Sequence, residues 1–155
     1  MQTLAEKISE VVEGDFEVHH IFKEIVQNKS IFTESEEIID LLFIKREHLN
    51  ERVKSSPVFS PASLLVATTH GLVYAVEGFK EISDKYLGYK MKHIYYDQIS
   101  ALELDLCLLK GNFKVTTSSS SNPEIVVEFN TANYYQKFEN FVKAIRKQRI
   151  GYNNK

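Results

Sequence analysis

Apolar residues recur at helical spacing near both ends of the chain and at strand spacing between them. Leu4, Ile8, Val11 and Val12 fall on one side of a 3.6-residue repeat, and Gly14 followed by Asp15 reads as a stop beside a fresh N-cap. Val18, Ile21, Phe22, Ile25 and Val26 form a second stripe, which decays into a polar link at Asn28 to Thr33. Two short amphipathic helices cannot bury their stripes alone, so they must pack on each other, on the rest of the chain or on a second copy. Residues 1–32 are therefore expected to form an N-terminal helical hairpin extension.

From Glu37 the pattern shortens to β-rich runs, Ile38 to Ile44, Leu64 to Thr69 and Leu72 to Val76, bounded by Pro57, Pro61 and Gly71. Tyr86 to Ile94 continues the series. Between Ala101 and Leu109, leucines at 102, 104, 106 and 108 alternate with Ala101, Glu103, Asp105, Cys107 and Leu109, giving one greasy and one mixed face. Lys110-Gly111-Asn112 reads as a turn, and Phe113 to Thr117 with Ile125 to Phe129 as a hairpin closed by a loop from Ser118 to Pro123. After Asn130 and Thr131, which suit an N-cap, Tyr134, Tyr135, Phe138, Phe141, Val142 and Ile145 predict one face of a long helix that Gly151 would end. About seven short strands followed by one long amphipathic helix point to an α+β fold in which antiparallel meander strands need a lid over one open end.

Composition narrows the function. The chain has 155 residues, enough for one core without a metal or disulfide staple, and its single Cys107 excludes an internal disulfide. The longest apolar run, Leu72 to Val76, is five residues against about 20 for a membrane-spanning helix, and the start MQTLAEKISE lacks a secretory pattern, so a cytoplasmic protein is expected. Net charge is −2, divided as −6 over residues 1–50 and +4 over residues 51–155. Such a balance, with no concentrated basic strand face, argues against nucleic acid as a partner. Of the eighteen Tyr and Phe residues, those on the last helix follow its apolar stripe and those in strands are interleaved with aliphatics, so they serve a core better than base stacking.

Three stretches carry a family resemblance. Ala67-Thr68-Thr69-His70-Gly71-Leu72-Val73-Tyr74 looks like a threonine-bearing strand turning sharply into an aromatic one. Ile94-Tyr95-Tyr96-Asp97-Gln98-Ile99-Ser100 looks like a tight entry into the next strand, and Gly111-Asn112-Phe113-Lys114-Val115 matches the turn after it. Together with the strand order they resemble the small bacterial pleckstrin-homology-like (PH-like) domains and, more distantly, the GRAM domains. The resemblance implies a PH-like antiparallel β-barrel capped by the C-terminal helix over residues 36–148, with a short basic and polar tail at 149–155. It implies no catalysis and no cofactor: such domains are scaffolds for lipid head groups, peptides or protein partners. Phosphoinositide-binding members carry basic residues at the first strand's end and the second strand's start. Lys45, Arg46, Arg52 and Lys54 fall in the matching loop, although the last is lysine rather than arginine and Glu47 and Glu51 interrupt the set.

Other candidate chemistry is sparse. Glu17, His20 and Glu24 share a helical stripe at metal-compatible spacing, but a solvated face explains them and no metal is expected. His70, His93 and Cys107 sit in separate strands with nothing in sequence joining them as a nucleophile and base. No GxxxxGK[ST], GxGxxG, HExxH or CxxC pattern occurs. The expectation is a non-catalytic module binding a protein or peptide. Self-association through Ala101, Cys107 and Leu109 is a further expectation; peripheral binding to anionic lipid or phosphorylated head groups through residues 45–54 is the alternative, and an unrecognised enzyme ranks third.

Overall fold

The structure, a computed structural model, describes residues 2–13, 20–28, 31–48, 58–78 and 88–153. Helix α1 (Leu4–Val12) opens on Thr3, whose hydroxyl accepts from the Glu6 N–H at 3.2 Å, a side-chain N-cap. Helix α2 (His20–Lys23) runs into a π-turn at Glu24–Asn28, where Ile25 and Val26 are buried. The strands are β1 (Ile38–Ile44), β2 (Glu47–His48), β3 (Val58–Ser60), β4 (Ser63–Thr68), β5 (Gly71–Glu77), β6 (Tyr89–Tyr95), β7 (Ile99–Leu106), β8 (Lys110–Thr117) and β9 (Ile125–Asn130). A 3₁₀ turn at Tyr96–Gln98 joins β6 to β7, and helix α3 (Thr131–Asn153) ends the chain's described part.

All pairings among the described residues are antiparallel. One sheet has the order β1-β4-β5-β6, another β7-β8-β9, and β2 and β3 form a small ribbon. Among the described residues no ladder joins the large sheets, so the expected barrel is two packed sheets with an open side rather than a closed cylinder. The fold class is otherwise as expected, seven principal strands and a C-terminal helix.

Strand β4 is buried along its whole length because the first sheet is covered on both faces. Alternate residues serve different cores. Leu65 and Ala67 face the second sheet and α3, while Leu64 and Val66 pack with Val11, Ile21, Phe22 and Ile25 from the N-terminal helices. Of the partners open to the leading helices, the structure shows two: each other and the first sheet. Lys7 anchors α1 to β1, reaching Asp40 at 2.6 Å beside a register shift between Ile38 and Asp40.

Helix α3 fills the side left open between the sheets. Phe138, Phe141 and Ile145 are fully buried, and Phe138 stacks on Phe129 at 4.0 Å between ring centres. Tyr135 departs from the expected apolar face and is 46% exposed. Gly151 does not end the helix, which continues to Asn153; a cost of about 1 kcal/mol for an internal glycine is small near a terminus. Gly111 marks no turn either. It lies within β8, where an added Cβ would come 2.4 Å from the Phe129 ring, so its smallness admits that ring. The turn falls earlier, at residues 107–109, closed by the Cys107 N–H donating to the Lys110 carbonyl at 3.0 Å.

Candidate functional site

The basic loop divides once its side chains are located. Lys45 is exposed, and its N–H donates to the Tyr134 hydroxyl at 3.2 Å, tying the end of β1 to the first turn of α3. Arg46 turns toward the protein. Its Nε and one Nη each donate to the Glu77 carboxylate at 2.7 Å, and the Ala62 N–H donates to the same carboxylate at 2.7 Å. The Glu77 side chain has no solvent exposure. A two-pronged guanidinium–carboxylate contact suits arginine's planar fork, and here it neutralises an interior charge. Arg52 and Lys54 lie outside the described residues.

The expected interface trio is split between two places. Ala101 is exposed on the outer face of the second sheet, where Glu103 and Lys114 pair at 3.4 Å. Cys107 and Leu109 belong to the β7–β8 turn, together with Leu108. The leucine alternation outruns the strand: Leu102 and Leu104 pack on the main core, whereas Leu106 is 42%, Leu109 77% and Leu108 89% exposed.

A concave region is more developed at the corner where β6 bends into β7. Strand β6 pairs only with β5 among the described residues, so its other edge is an outer edge of the described sheet. Beside that edge a groove of about 340 Å³ runs along Lys92 to Tyr95 and faces Thr117, Ser119 and Glu124 near the β8–β9 connection. Lys92 crosses it, donating to the Glu124 carbonyl at 2.7 Å and lying 3.6 Å from its carboxylate. A second concavity of about 700 Å³ shares Tyr95 and Gln98 and adds Ser35, Thr69, His70, Tyr96 and Asp97.

Local chemistry fixes this corner. Thr68 accepts from the His70 and Gly71 N–H groups, at 3.1 and 3.2 Å, and its hydroxyl reaches Glu36 at 2.6 Å. The buried Tyr96 hydroxyl donates to the Thr68 carbonyl at 2.5 Å. Burial raises the Tyr96 phenol far above its ordinary range, and the Glu36 carboxylate adds to that rise. Gly71 sits where an added Cβ would meet the Ile94 carbonyl oxygen at 2.1 Å, allowing β5 and β6 to approach at the turn. By contrast, Tyr95 is 60% exposed on the rim.

Sequence reasoning missed β6 as a site. The available signal was Tyr89-Lys90-Met91-Lys92-His93-Ile94-Tyr95, a strand with lysines at alternate positions, the pattern of an edge. The other titratable candidates do not assemble. His70 contacts Thr69 Oγ1 at 3.0 Å, Cys107 is exposed on the distant turn, and Glu17 lies outside the described residues. No group of three His, Cys, Asp or Glu residues that could hold a metal occurs among the described residues. No described helix is long and apolar enough to cross a membrane.

Comparison with known proteins matches no family model and no curated protein. Among solved structures, a crystal structure of a pleckstrin homology domain from Shewanella amazonensis is similar, at 15% identity and a TM-score of 0.48, over 83% of this chain and 92% of that one. At that identity and score, no residue correspondence carries over from that domain to a site in this chain.

Proposed function

We propose that this chain is a non-catalytic interaction module of PH-like architecture that receives an extended segment of a protein partner along β6. The observation that carries the reading is the outer position of β6 in the described sheet, where no other described strand pairs with its free side, beside the groove. Support for the architecture comes from the chain's own order, four antiparallel strands, a bend, three more strands and a covering helix. An added strand gains main-chain hydrogen bonds from the edge and specificity from the alternating side chains beside it.

The β6 register suggests the chemistry of that segment. Lys90, Lys92 and Ile94 are paired with Val76, Tyr74 and Leu72, on the side turned toward the second sheet. His93 and Tyr95 belong to the other side. A fitting segment alternates acidic residues, to meet the lysines, with apolar ones, to meet Tyr95. Lys92 exchanges Glu124 for a ligand carboxylate at little cost, because both side chains are more than a third exposed and such pairs contribute about 0–1 kcal/mol. Edge-to-edge pairing of two β6 strands would instead bring lysines together.

A synthetic Glu-Val repeat peptide titrated into isotope-labelled protein tests this. The expected result is amide shift changes and new exchange protection in residues 89–95, with smaller changes at 118–124. Lys90→Glu with Lys92→Glu should abolish them while preserving the thermal transition. Saturable shifts elsewhere with β6 silent, or no shifts at all, would overturn the reading.

A further inference from the structure

We propose that the β7–β8 turn is an apolar tip that inserts into the interfacial layer of a lipid bilayer. Leu106, Leu108 and Leu109 are 42%, 89% and 77% exposed, and Cys107 between them is exposed too. Single exposed leucines are ordinary on a protein surface, but consecutive ones form a patch. The turn is also held in place. The Cys107 N–H donates to Lys110 at 3.0 Å on one side, and the Leu109 carbonyl accepts from the Thr131 N–H at 3.4 Å on the other. These bonds fix the main chain of the turn with its leucines exposed, so little backbone ordering is needed when they are covered.

Size and charge favour a bilayer over a second copy of the chain. A tip of three leucines offers far less than the roughly 800 Å² per partner of a stable specific interface. Insertion into lipid sets no such minimum and needs no matching pocket, because each buried CH₂ contributes separately, by about 0.8 kcal/mol. The neighbouring charges give no positive excess: Lys110 lies 3.1 Å from Glu128, and Asp105 at the foot of the turn is exposed. Attraction would thus be apolar and nearly independent of salt, unlike binding through the cations of residues 45–54. Hydrocarbon of this amount gives weak, reversible attachment, on the scale of a single acyl chain, about 10⁴ M⁻¹.

The single cysteine supplies the probe. An environment-sensitive fluorophore on Cys107 should shift to the blue when the full chain meets phosphatidylcholine vesicles, and brominated acyl chains should quench it. Added phosphatidylserine or high salt should change the midpoint less than about threefold. Leu108→Glu with Leu109→Glu should weaken partitioning at least about a hundredfold, with an unchanged melting temperature because both side chains are exposed. An unlabelled chain that co-sediments with vesicles, and a double variant that does not, would confirm that the label is not responsible. The proposal is overturned by no spectral change with vesicles, by a concentration-dependent shift without vesicles, which would indicate a second copy, or by binding that requires phosphatidylserine and disappears in salt.

Discussion

Replacing Arg46 by alanine should destabilise the protein strongly. Glu77 is fully enclosed and accepts three hydrogen bonds of 2.7 Å, two of them from Arg46. The variant leaves an interior carboxylate with the Ala62 N–H but without those two bonds or their countercharge. Breaking a buried pair in this way costs about 3–5 kcal/mol, a large part of the roughly 5–15 kcal/mol available to a domain. Arg46→Lys should lie between, since an ammonium replaces the charge but not the fork. Arg46→Met with Glu77→Leu should recover most of the loss, because the charge itself is then gone. Lys45→Ala, at an exposed neighbour, should stay within about 0.5 kcal/mol. Urea unfolding followed by circular dichroism measures all four. A loss below 1 kcal/mol for Arg46→Ala would refute the assignment of this arginine to the interior.

Gly71→Ala should destabilise the protein severely, because its Cβ would meet backbone rather than a movable side chain; a melting temperature within 2–3 °C of the parent's would contradict this. Stability should also decline above about pH 10: the unfolded chain releases its tyrosine protons there, whereas the raised Tyr74, Tyr96 and Tyr134 phenols hold theirs in the folded state, so folding is increasingly opposed as pH rises. Absorbance at high pH should show these phenols ionising only as the fold opens, and Tyr96→Phe should lessen the steepness; simple titration of every tyrosine near pH 10 in folded protein would count against it. Deleting residues 1–32 should uncover Leu64, Val66, Val73 and Ala75 and produce aggregation or binding of an apolar dye, whereas a soluble, cooperatively melting remainder would show that the leading helices are dispensable.

Strand and helix positions were readable where one face meets the core and the other meets water. The alternation of Phe113 and Val115 with polar neighbours and the β-branched run from Ile125 gave β8 and β9, and the aromatic spacing from Tyr134 to Ile145 gave α3. Strand β4 showed as an unbroken apolar run, which signals burial on both sides but cannot say what covers the second side. The limit of β7 was misread for a different reason: Leu108 keeps the period of two after pairing has ended at Leu106, and periodicity does not record where pairing stops. Arg46 was legible as a cation in a loop, but its buried partner Glu77 lies 31 positions away, a distance no local pattern bridges. The β6 edge was hidden similarly, since which strand lies outermost is a property of topology.

The double covering of the first sheet has a consequence for synthesis on the ribosome. The leading helices emerge before the sheet, yet their docking surface is incomplete until Met91 has followed, and the opposite surface waits for α3, whose Tyr134 meets Lys45 across 89 positions. Nascent β1, β4 and β5 thus leave the exit tunnel with one flank sheltered early and the other bare until α3 has followed, the interval in which a holding chaperone has most to grip.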